Sequence, residues 1–130
     1  SAPTQIGALT TWLAVSAGNY NMLAVKTDGT LWAWGAVGFG SATGANSPVQ
    51  VGSATTWTNK ISAGSGSTTS GSMMSGIQSD GTLWTWGFNN SGQLGDGNTS
   101  TTSVPAKVGT LTTWTSVSAA RGAVQALGTA

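Results

Sequence analysis

Seven side chains hold all the charge of this 130-residue chain: Asp28, Asp80, Asp96, Lys26, Lys60, Lys107 and Arg121. Histidine, cysteine and glutamate are absent. A general acid and base built from two carboxylates needs both within several ångströms of one reacting bond. Here each Asp is followed directly by Gly, a pair that suits a tight turn and gives each acid a structural role. Zinc and iron sites lack their usual ligands. Calcium at Asp96-Gly97-Asn98 would find one carboxylate, too few for an oxygen cage. Serine is plentiful, but without His its only bases are the three lysines; a Ser-Lys dyad is the one nucleophilic arrangement left open, and each lysine reads equally as a solvated strand or loop position. Gly64-Ser65-Gly66 has no strand-then-helix context for a phosphate loop. The expectation is a protein with no catalytic residue, no metal site and no cofactor, and not an enzyme.

Composition narrows the partners. With 5% charged residues and a net charge of +1, the chain offers no basic field for nucleic acid and no polybasic patch for an anionic membrane. No apolar run approaches the ~20 residues that span a bilayer, and nothing at the N-terminus resembles a signal peptide. The opening Ser1-Ala2-Pro3 suggests a processed product or a segment of something longer. Seven Trp and a regular Val/Leu/Ile pattern predict a folded chain. Abundant Gly, Ser, Thr and Asn point to an extracellular or virion-surface β protein.

The chain is built from repeats. P-T-Q-I-G at Pro3 returns as P-V-Q-V-G at Pro48 and P-A-K-V-G at Pro105, 45 and then 57 residues on. Each copy leads to T-T-W (Trp12, Trp57, Trp114) and a short β pattern ending in small residues. Then come an apolar strand, an Asp-Gly turn and a Trp strand, Leu31 to Gly35 and Leu83 to Gly87; the third copy reaches Thr129-Ala130 without these last two. Periods in this range are those of propeller blades. The expected units are repeat 1 over 3–47, repeat 2 over 48–104 and a partial repeat 3 over 105–130, within a single repeat domain. Each full repeat carries four short strands, and the opening Pro3 to Gly7 counts as one more.

Alternation places Trp84 and Trp86 on one face of their strand and Leu83 and Thr85 on the other. A bulky face packing on a lean one fills the wedge between stacked blades, and burial of one such aromatic contributes roughly 2–3 kcal/mol.

The stretch D-G-T-L-W-T-W-G-F-N-N-S-G-Q-L-G-D-G from Asp80 to Gly97, preceded by V-S-A-G-type segments and followed by a P-x-x-V strand, resembles the repeat of the regulator of chromosome condensation family. The resemblance covers nearly the whole chain and implies an all-β fold of four-stranded antiparallel β-propeller blades, about two and a half of them, where the family usually closes seven. Asn21 and Ala123 stand where the family commonly has His, and the first repeat has Ala36 to Gly40 in place of the G-Q-L-G loop. The family's founding member exchanges nucleotide on a small GTPase, so the resemblance implies a regulatory binding module as one reading. Light sensing by Trp clusters bonded to Arg is another family precedent, against which this chain sets a single arginine, Arg121.

An incomplete ring exposes the faces that blades use on one another, a patch that soluble monomers avoid. The leading expectation is therefore a non-catalytic structural or interaction module in surface or virion assembly or adhesion, its partners being copies of itself or the rest of a longer chain. Contact residues are sought among those that differ between repeats: Tyr20, Phe39, Phe88, Asn89, Arg121 and the loop Ser65 to Ser72. Phe88-Asn89-Asn90 also suits a lectin-like glycan binder, the third reading.

Overall fold

The computed structural model describes residues 2–35, 45–65, 72–120 and 123–129. They form ten strands and, among the described residues, no helix. β1 (Trp12–Ala17), β2 (Asn21–Lys26), β3 (Leu31–Gly35) and β4 (Ala45–Gln50) make one sheet in that order. β5 (Trp57–Ala63), β6 (Met73–Gln78), β7 (Leu83–Gly87) and β8 (Thr102–Lys107) make a second. β9 (Trp114–Ala120) and β10 (Ala123–Gly128) form a two-stranded third. Every pairing is antiparallel between consecutive strands. These are propeller-type blades, as the repeats predict. The first strands β1, β5 and β9 run beside one another and form the inner edge of the stack.

The opening Pro3 to Gly7 is not a strand. Its two counterparts show why. Pro48 lies in β4 and Pro105 in β8, each the outer edge strand paired with a Trp strand from the repeat before it. Proline is tolerated there because one edge of the strand has no partner to donate to. Just beyond those strands, the Val51 and Val108 N–H groups donate to the carbonyls of Leu31 and Leu83 at 2.8 Å. Among the described residues no strand pairs with Pro3 to Gly7, and the segment has no ladder. Sequence repeats and blades are thus offset: the sheet begun at Trp12 closes with residues 45–50, which straddle the boundary expected at Pro48.

Each full blade has a tryptophan cluster on one face. Trp57 of β5 meets Trp84 at 6.3 Å and Trp86 at 5.7 Å between ring centroids, inclined at 68° and 58°. Trp12 meets Trp32 and Trp34 in the same way, at 6.4 and 6.0 Å. Tilted and edge-on geometries suit the quadrupoles of the rings. The inner-strand indole must cross the second strand to reach the third, so the residue beneath it has to be small. Gly76 lies under Trp57, whose ring would come within 2.8 Å of a Cβ placed there, and Ala24 holds the matching position in the first blade.

The opposite face is lean and fully covered. Leu23, Val25, Leu31 and Ala33 of the first blade, all 0% exposed, pack with Val51 against Trp57, Met74 and Trp86 of the second. The second blade's lean face, Met73, Ser75, Ile77, Leu83 and Thr85, is buried in turn where β9 and β10 cover it. Bulky against lean is therefore the rule of the stack. It makes the chemically matched Trp12 and Trp57 unequal: Trp57 is buried and Trp12 only half-buried. Trp57→Ala should lower unfolding free energy by about 3–5 kcal/mol and Trp12→Ala by less than half as much, read from urea melts.

The Asp-Gly turns are shaped by the neighbouring blade. Gly29 (φ 80°) and Gly81 (φ 79°) are in the left-handed region. A Cβ at either would sit 1.9 Å from the carbonyl oxygen of Thr55 or Thr112, in the next blade's T-T-W segment. Their own carbonyls accept the N–H of Trp57 and Trp114 at 3.1 and 3.2 Å. Gly52 has a similar φ of 66° with nothing within 4 Å of its Cβ position. Gly52→Ala should therefore cost about 1 kcal/mol, the conformational term, whereas Gly29→Ala should cost several times more in the same melt because it also forces two blades apart.

Candidate interaction site

The carboxylates hold turns together. Asp28 Oδ1 accepts the Thr30 N–H at 3.0 Å and its hydroxyl at 2.6 Å, and Thr30 Oγ1 accepts the Trp32 indole N–H at 2.8 Å. Asp80, Thr82 and Trp84 repeat the relay at 3.1, 2.6 and 2.8 Å. The D-G-T-x-W motif is thus one unit that fixes the first Trp of each Trp strand. The Thr30 and Thr82 side-chain and backbone hydrogen bonds hold both carboxyls below their ordinary pKa, with nearby Lys26 and Lys107 adding to the effect. A lowered folded-state pKa means the stabilisation is whole above the ordinary carboxylate value and is lost as pH falls through the lower folded one.

Asp96 belongs to a different structure. Asn89 is 0% exposed, and its Nδ2 donates towards Asp96 Oδ1, Asn98 O, Asn98 Oδ1 and Ser100 O at 2.9–3.4 Å. Its Oδ1 accepts the Leu94 N–H at 2.9 Å. Asp96 also caps the N–H of Asn98, and Leu94, 2% exposed, seals the loop while its carbonyl accepts the Thr85 hydroxyl. The G-Q-L-G-D-G loop is therefore organised around Asn89. Asn89, expected among the partner contacts, has its amide used within the loop. The other sequence-derived contacts are scattered. Tyr20 is 46% exposed in the β1–β2 turn, and Phe88 is half-buried just after β7. Phe39 and Arg121 lie outside the described residues, as does the Ser65 to Ser72 loop apart from half-buried Ser65 and buried Ser72.

What the structure does bring together is apolar. No described strand covers the Trp-bearing face of the first blade, which holds a hollow of about 260 Å³ lined by Ile6, Leu9, Trp12, Val15, Met22 and Trp34. Ile6, Leu9 and Val15 are 49%, 48% and 62% exposed. The Lys26 Nζ lies 3.9 Å from the Trp32 ring centroid and 5.4 Å from that of Trp12, cation–π contacts beside one of the hollow's lining rings. At the far end of the stack, β9 and β10 turn Ser116, Ser118, Gln125 and Leu127 outwards around a smaller depression of about 220 Å³. Leu127 is 71% exposed. No group of three or more metal-binding side chains exists among the described residues. Nor is any helix long and apolar enough to cross a membrane. The exposed apolar residues brought together here are framework residues of the repeat rather than the positions that vary between repeats.

A family model described as the regulator of chromosome condensation (RCC1) repeat matches residues 80–127, and a second model of the same repeat matches residues 12–40. Among solved structures, human WBSCR16 is 18% identical with a TM-score of 0.78 over 98% of this chain and 33% of its own. Prp20p from Saccharomyces cerevisiae, described with its binding properties to Gsp1p and histones, is 18% identical with a TM-score of 0.67 over 100% and 33%. Yeast RCC1 (Prp20) bound to Kap60 is 16% identical with a TM-score of 0.71 over 100% and 32%. At these identities the likeness is one of fold. The chain spans about a third of the length of these relatives.

Replacing Asn89 with Ala should destabilise the chain by about 1–3 kcal/mol, since it strands the Leu94 N–H and several loop oxygens, while Tyr20→Ala should stay within about 0.5 kcal/mol. Thermal midpoints should be level above about pH 5 and fall as acid protonates Asp28 and Asp80; the Asp28→Asn/Asp80→Asn double variant should show a shallower acid limb.

Proposed function

We propose, since this chain belongs to the regulator of chromosome condensation (RCC1) repeat family, that it is a non-catalytic interaction module that binds protein through the open faces of its blades. One observation carries this reading. The first blade's Trp face has the residues of an internal blade interface, yet nothing in the described chain covers it. Its counterpart on the second blade is a buried core. A surface so apolar gains by meeting a complementary protein face, at roughly 25 cal/mol for each Å² of apolar area removed from water. The absence of His, Cys and Glu from the sequence, and the engagement of all three Asp in turns, support a role without catalysis.

The finer setting, assembly or adhesion at a cell or virion surface, is part of the same proposal and rests on the low charge and the Gly/Ser/Thr/Asn-rich composition. The binding of Prp20p to Gsp1p and histones, and of yeast RCC1 to Kap60, supports protein as the class of partner. Nucleotide exchange on a small GTPase is the second reading that the family suggests. It predicts faster release of labelled nucleotide on adding the chain.

Val15→Asp places a charge in the exposed hollow without touching the internal core. If the reading holds, partner capture or self-association measured by light scattering is lost in this variant while its thermal midpoint stays close to that of the parent. Binding unchanged by Val15→Asp would remove the face from the function.

A further inference from the structure

The joint between blades occurs twice inside the chain, and its parts correspond residue by residue. In the first, Ser16 Oγ accepts the N–H of Ala63 at 2.9 Å; in the second, Ser62 Oγ accepts the N–H of Ala119 at 2.8 Å. Both serines come from the repeated Ser-Ala segment, V-S-A-G and I-S-A-G, whose third copy is V-S-A-A with Ser118. Strand register fixes the rest. Ser16 faces Leu23 and Ser62 faces Ser75, as Ser118 faces Gln125. Val25, Ile77 and Leu127 then occupy one position, at 0%, 2% and 71% exposure. On the other side of the joint, Ala17 stands where Ala63 and Ala119 donate, and Ile6 stands where Val51 is 8% exposed. The chain thus carries at β9–β10 the first- and second-strand part of one joint face, with no counterpart among the described residues to Leu31 and Ala33 of the third strand, and the opposing face on the first blade; neither holds an acidic group. The face at β9–β10 is lean and hydroxyl-bearing, and the face on the first blade is bulky.

We propose that a second copy of this chain docks head to tail, with the outer face of β9–β10 in one copy seated on the Trp face of the first blade in the next. Ser118 Oγ accepts the Ala17 N–H across the contact, and Leu127 enters the hollow beside Trp12, Val15 and Met22. The argument is continuity with the two internal joints, and it rests on the reading that the open Trp face binds protein. Such an interface uses different patches on the two copies, so association continues until a ring closes or a filament grows.

The test is the mass of the full chain in solution, followed by light scattering from about 1 to about 100 µM. The parent should grow in mass with concentration, and Leu127→Asp and Val15→Asp should each remain monomeric and folded by circular dichroism, both sites being exposed in the single chain. An equimolar mixture of the two variants should give a dimer and nothing larger, because one intact β9–β10 face meets one intact Trp face. Ser118→Ala should weaken association roughly 3- to 10-fold, the loss of one hydrogen bond. A parent that stays monomeric overturns the proposal. So does assembly that survives Leu127→Asp; if Val15→Asp abolishes that assembly, the open Trp face still binds protein and only the β9–β10 partner is wrong. A mixture that fails to dimerise overturns the head-to-tail pairing, and an unchanged affinity in Ser118→Ala overturns the register.

Discussion

The stack depends on one contact: an indole lying across a strand too lean to obstruct it, pressed from the other side by the next blade. Trp57 reaches Trp84 and Trp86 because Gly76 leaves room beneath it, and it is excluded from water because Leu23, Val25, Leu31 and Ala33 close over it. Neither half is sufficient. A single four-stranded sheet has two faces and little core of its own, so its order comes from the sheets on either side. In the first blade, whose Trp face no described strand covers, the same three-indole arrangement forms but remains half-exposed.

Around that contact the polar chemistry is local and repeated. The Asp-Gly-Thr turn serves three structures at once: the carboxylate fixes Thr30 or Thr82, the threonine hydroxyl orients an indole, and the glycine lets the next blade's backbone come close enough to bond. A chain with three acidic residues uses two of them in this way and the third in the loop around Asn89.

Much of this was legible beforehand. The repeats, the Asp-Gly hairpins and the opposed bulky and lean faces follow from period-two alternation and turn chemistry, which are properties of neighbouring residues. The segment at Pro3 misled because strand formation there depends on a partner strand elsewhere, and local pattern carries no information about that. The hydrogen bonds of Asn89 were not legible locally, because only the folded loop brings Leu94, Asp96 and Asn98 back to enclose it. The serine contacts between blades were present in the sequence as a thrice-repeated Ser-Ala, but the pattern of one strand does not say that a hydroxyl accepts an N–H from the next blade.

The one-strand offset between sequence repeat and blade has a structural corollary. Residues 45–50 complete a sheet whose other strands precede them, so the polypeptide is laced, each unit finishing the one before. A nick between blades, in the stretch from Gly52 to Thr56, would leave both neighbouring sheets with all their strands, whereas a cut at the apparent boundary before Pro48 would divide β4 itself. Damage is then governed by where the lacing crosses, and the positions that look like seams in the sequence are the ones least able to part.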